Sequence, residues 1–176
     1  MRNSLIKVML QPRMNLSEDV LVGIAGVAIA LIGFSGVVTA LGRRGSGVWS
    51  PAETLQLRTL IDPSIVTLFA SFFPIGLGLI TDDAEIVWRA SNFAVFVGHV
   101  LGFTAFLRRG SPDTVLFSQR AWSAATVIVL LSTLGGSLGL LPWLQFTFLL
   151  GLALGIGVSL QNFYLLLFPP IQTSDE

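Results

Sequence analysis

"AWSAATVIVLLSTLGGSLGLLPWLQFTFLLGLALGIGVSLQNFYLLLFPPIQTS", Ala121 to Ser174, holds 54 residues and no charge. As one helix it would measure about 81 Å, at about 1.5 Å per residue. The hydrocarbon core of a bilayer is only ~30 Å thick. The stretch must therefore turn. The segment "GLLPW", Gly139 to Trp143, is the place: glycine and proline break a helix, and tryptophan favours the membrane interface. Two helices result, over 120–139 and 142–168, the second stopped by Pro169-Pro170.

Working outward, the same pattern repeats. Val20–Gly42, Pro63–Thr81 and Ala90–Leu107 carry no charge, and "EIVWR" extends the third run on its N-terminal side. Each is about long enough to cross a bilayer once. The expected fold is all-α: a polytopic integral membrane bundle with spans over 19–42, 63–81, 85–107, 120–139 and 142–168. These form a single domain, 19–168, between a short N-terminal extension (1–18) and a C-terminal tail (169–176). An alternative has four spans, with one weak segment re-entrant or interfacial. "SPAE", Ser50 to Glu53, has capping-box spacing with proline at the first helical position. It predicts a short interfacial helix over 51–60, followed by a fresh helix start at Asp62-Pro63-Ser64. The alternative is one continuous helix kinked at Pro63. Pro74 should bend the second span.

Composition excludes several function classes. The chain is 53% hydrophobic and 11% charged, against about a quarter charged in soluble domains. Net charge is zero, so there is no basic footprint for nucleic acid. With no cysteine and one histidine, His99, thiolate chemistry and multi-histidine metal sites within one chain are excluded. No nucleotide or zinc-protease motif is present. No cofactor or metal is expected. Ser91 and His99 lie about 80° apart around their helix, a poor nucleophile–base geometry, so an enzyme is not expected.

Five spans put the termini on opposite sides. Arg43, Arg44, Arg108, Arg109 and Arg120 then share one side, which the positive-inside rule assigns to the cytoplasm. Asp82, Asp83 and Glu85 fall on the other. The expectation is an inner (plasma) membrane protein with its N-terminus outside and its C-terminus cytoplasmic. Arg2, Lys7 and Arg13 conflict with this unless translation starts at Met14. Glu18 and Asp19, directly against the first apolar run, argue against a cleaved signal peptide.

The third span carries a polar stripe. At about 100° per residue, Glu85, Arg89, Asn92, Phe96, His99 and Phe103 fall within an arc of roughly 80°. Ionisable groups at membrane depth face protein or water. The stripe therefore reads either as a polar pathway or as groups satisfied inside the bundle. Gln161 and Asn162 in the fifth span are candidate polar partners. Small residues recur at helix-packing spacing: Gly26, Ala30 and Gly33 in span 1, and Gly151, Gly155 and Ser159 in span 5. They can serve packing within the chain or self-association.

An internal repeat is also legible. "GFSGVVTALGRRGS" (Gly33–Ser46) and "GFTAFLRRGS" (Gly102–Ser111) end spans 1 and 3, and "GLGLI" (76–80) parallels "SLGLL" (137–141). Spans 1–2 and 3–4 would be two hairpins in the same orientation, leaving span 5 free as an oligomer contact. Two functions follow. The first is a homo-oligomeric channel- or transporter-like protein for an ion or small polar solute, using span 3. The second is a non-catalytic accessory subunit docked onto a larger membrane complex. Partners in either case are the lipid bilayer and other membrane helices.

Overall fold

A computed structural model describes residues 18–42, 50–109 and 117–168. The expectations for residues 1–17 of the N-terminal extension (1–18), for Arg43-Arg44 and for the Pro169-Pro170 stop lie outside the described residues. The described chain forms five helices: α1 (Glu18–Gly42), α2 (Pro51–Gly78), α3 (Ala84–Arg109), α4 (Phe117–Ser137) and α5 (Leu144–Leu167). Four of them, α1, α2, α3 and α5, are long and apolar enough to cross a membrane. The apolar part of α4, Ala121–Ser137, is shorter. The protein is a membrane-embedded helical bundle.

The surface confirms the solvent. Large apolar side chains such as Ile29, Phe69, Leu101, Ile128 and Phe146 point outward. The fully buried positions include Ser64, Thr67, Ser71, Ser91, Asn92, Thr133 and Ser159. This inverts the usual soluble arrangement. Lipid tails are as apolar as leucine, so helices associate through small residues and interhelical hydrogen bonds instead.

Side-chain contacts set the helix directions. Asn92 reaches Leu144 and His99 reaches Gly151, so α3 and α5 run parallel. Ser64 Oγ lies 2.9 Å from Ser159 Oγ, while Thr67 sits against Gly155, so α2 and α5 are antiparallel. Gly136 faces Thr147 and Gly157 faces Trp122, so α4 also opposes α5. Leu21 of α1 packs near Ala70 and Phe148, and Phe34 pairs with Phe163 at 5.7 Å. Hence α1, α3 and α5 run one way, and α2 and α4 the other. One end of the bundle carries Glu18, Asp19, Asp82, Asp83 and Glu85; the opposite end carries Arg58, Arg108 and Arg109.

The helix starts and stops follow local chemistry. Ser50 caps α2: its hydroxyl accepts from the Glu53 N–H at 3.2 Å, and Glu53 Oε2 accepts from the Ser50 N–H at 2.8 Å. The expected separate surface helix over 51–60 is not formed. Residues 51–78 are one unbroken helix through Pro63 and Pro74. Pro63 has no N–H, so the Thr59 carbonyl loses its helical donor. Continuity survives because Leu55 and Leu60 are buried in the bundle, 5% and 0% exposed, holding the first three turns in line with the rest. Between α4 and α5 the chain turns at Gly139, whose φ of 73° lies in the left-handed region that glycine adopts freely.

Span 5, expected to be the odd helix left for an oligomer contact, packs within the bundle. α5 touches all four other helices, while α2 and α4 do not touch each other. A Cβ added at Gly151 would fall 2.5 Å from Val95 Cγ1 and 3.3 Å from Thr133 Cγ2. At Gly155, a Cβ would occupy the position of the Thr67 hydroxyl. The small residues of α5 are therefore spent on close approach inside the chain. Those of α1 are not: Gly26, Ala30 and Gly33 face outward, and a Cβ at either glycine would meet nothing within 4 Å.

Gly151→Leu should lower the thermal unfolding midpoint in detergent by the equivalent of about 1–3 kcal/mol of overpacking. Gly26→Leu should leave it unchanged. Equal sensitivity at both positions would contradict this packing order.

Candidate functional site

The polar stripe of α3 divides into two halves with different surroundings. At the acidic end, Arg89 bonds to Glu85 at 3.2 Å. Its Nε and Nη2 also donate to the carbonyls of Ser137 and Leu138, at 3.1 and 3.2 Å. These carbonyls belong to the end of α4, where helical donors run out. A cation there satisfies them and complements the helix dipole. Arg89 thus clamps the α4–α5 corner, and its guanidinium lies over Gly139, where a Cβ would come within 3.1 Å of Cζ.

One turn deeper, Asn92 is fully buried. Its amide donates to Trp88 O at 2.9 Å and Leu144 O at 2.8 Å, and its Oδ1 accepts from the Thr147 hydroxyl at 2.8 Å. Both donors and the acceptor are used. The Ser91 hydroxyl, also buried, donates back to Val87 O. Glu85, Arg89 and Asn92 are therefore drawn together by the α4–α5 corner.

The other half opens onto space. His99 Nε2 lies 2.9 Å from Gly151 O. A carbonyl only accepts, so Nε2 carries the proton, and in the neutral ring Nδ1 is left as an acceptor. His99 lines a cavity of about 80 Å³ walled by α2, α3, α4 and α5. The cavity exists because α3 and α5 pack together through Asn92, Val95 and Gly151, whereas further along Phe103, Phe106 and Trp122 intervene. That volume accommodates several waters or one small organic molecule. None of the described residues lining it is charged.

Gln161 and Asn162 line this cavity together with His99. Asn162 Nδ2 donates to Val158 O at 2.8 Å. Gln161 differs: its Nε2 and Oε1 are both shielded from solvent, and neither has a hydrogen-bond partner. The sequence pattern does not point to the cavity residues Phe106, Trp122 and Thr126. Periodicity on one helix does not show which four helices leave a gap between them.

A smaller cavity of about 30 Å³ adjoins on the arginine-bearing side and shares Thr59, Pro63, Gly102 and Phe106 with the first. Asp62 and Arg109 line it and join α2 to α3 by an ion pair of 3.2 Å. Both are well exposed, so the pair contributes little stability. Its position matters more, because it ties the two helices together beside the cavity.

Asn92→Leu should cost about 1 kcal/mol, the usual scale for an interhelical hydrogen bond in a membrane bundle. A double-mutant cycle with Thr147→Val should show coupling; additive losses would mean that the pair acts independently. Arg89→Gln should speed amide exchange at Leu138–Leu141 by about tenfold, matching the loss of bonds to a charged donor, with little change at Val95.

Compared with known proteins, the chain matches no family model, no curated protein and no solved structure at a significant level.

Proposed function

We propose that this protein is a non-enzymatic, channel- or transporter-like membrane protein whose site is the cavity between α2, α3, α4 and α5. The observation that carries the reading is the wall of that cavity. It combines His99 and a buried Gln161 amide without partners with apolar rings, the composition of a small-molecule site. In this reading Glu85, Arg89 and Asn92 are scaffold: every one is bonded within the α3–α4–α5 corner. His99 is the member of the stripe that meets the solute.

The arginine-bearing end is cytoplasmic in this reading, by the positive-inside bias of Arg108 and Arg109 with Arg43, Arg44 and Arg120. The second cavity and the Asp62–Arg109 pair then lie on the cytoplasmic approach. Self-association uses the outward stripe Gly26, Ala30 and Gly33 of α1, which is free of contacts within the chain. Alternation of helix direction suits two parallel hairpins, α1–α2 and α3–α4. Any such repeat is functionally one-sided: Phe34 packs on Phe163, whereas its counterpart Phe103 lines the cavity.

The test is solute flux into proteoliposomes, with a panel of uncharged solutes and ions. Gly102 lines the cavity, and a Cβ there meets nothing within 4 Å. Gly102→Phe should therefore fill the space without unfolding the chain, and should abolish the flux seen with wild type. Wild-type flux equal to that of protein-free liposomes would refute the proposal and favour an accessory subunit. Purification with a second membrane protein held in stoichiometric amount would point the same way.

A further inference from the structure

We infer that the cavity selects a small uncharged solute carrying a hydrogen-bond donor and acceptor side by side, of the carboxamide or urea kind. The inference rests on the functional reading above and narrows it from "ion or small polar solute" to one chemical class.

Gln161 supplies the main argument. A primary amide has two N–H donors and an oxygen acceptor. Both heavy atoms of this one are shielded and unpaired, so a solute reaches them when the side chain turns into the cavity that it lines. Buried polar groups in folded proteins are hydrogen-bonded in the great majority of cases, and an unpaired one costs the full desolvation of the group. The amide on α3 shows the contrast: Asn92 has every donor and its acceptor engaged by protein. The partner that Gln161 lacks must offer an acceptor to its N–H and a donor to its oxygen. A carboxamide or urea presents the two in one plane and forms two parallel hydrogen bonds with such a group. A lone ion offers one or the other.

The remaining walls agree. His99 Nδ1 is an acceptor when Nε2–H is committed to Gly151 O, so a second N–H of the solute has a place to go. Thr126 donates its hydroxyl proton to Trp122 O at 2.8 Å, leaving its oxygen as a further acceptor. No charged residue is among the described lining residues. An ion held here would be desolvated without a counter-charge, which is costly in a low-dielectric interior. The aromatic walls, Phe103, Phe106 and Trp122, accept the apolar faces of a planar amide. The volume of about 80 Å³ limits the solute to a few heavy atoms.

The experiment uses the full chain in proteoliposomes with acetamide and urea as probes, and potassium and chloride as ion controls. Wild type should carry acetamide or urea and exclude both ions. Gln161→Leu should reduce acetamide flux at least tenfold. The same variant should unfold at or above the wild-type midpoint, because it removes an unpaired buried amide. Ion flux exceeding amide flux would overturn the inference while leaving the transport reading intact. So would amide flux unchanged in Gln161→Leu. Flux of no solute at all would remove the transport reading, and the site is then judged by binding alone. Acetamide should raise the melting midpoint of wild type and not of Gln161→Leu; no rise in wild type overturns the inference.

Discussion

The close approach of the α5 backbone to its neighbours at Gly151 and Gly155 governs the rest of the bundle. Without side chains there, Val95 and Thr133 pack against one glycine, and Thr67 occupies the space beside the other. That proximity brings the Gly151 carbonyl within reach of His99. The carbonyl has two lone pairs, so it can serve both its own helix and the imidazole. It also places Ser64 against Ser159. In lipid, where apolar burial contributes little to association, such contacts take over the role of a hydrophobic core. The apolar cluster is correspondingly small: Leu21, Ala70, Val95, Phe148 and Leu152.

Two side-chain amides then describe the two ends of the molecule. Asn92, where helices meet closely, is saturated with protein partners. Gln161, where they separate, has none. The same functional group acts as a rivet in one place and as an open valence in the other. The difference arises from helix spacing rather than from residue type.

Much of the fold was legible because it follows from lengths and charges. The uncharged 121–174 run had to fold back, and it does so at Gly139, as glycine and proline there imply. The Ser50–Glu53 capping box formed as its spacing predicts. The break expected before Pro63 failed, because tertiary burial of Leu55 and Leu60 outweighs the loss of one helical hydrogen bond. The polar stripe was legible as a stripe, but its division was not. Whether Arg89 meets carbonyls or water depends on where α4 ends, and that information is absent from α3 itself. Small-residue spacing looked alike on α1 and α5, and only the three-dimensional arrangement distinguishes the inward set from the outward one.

α4 sets the match between the bundle and its bilayer. It is the shortest of the five described helices, with 21 residues, and rises about 32 Å, close to the ~30 Å hydrocarbon layer. A thicker bilayer would have to thin alongside this helix first, at a cost of fractions of a kcal/mol per Å. In such a bilayer the headgroups would come closer on the side where Trp122 and Thr126 form the cavity wall. An increase in lipid chain length would thus act on the cavity from outside, through α4.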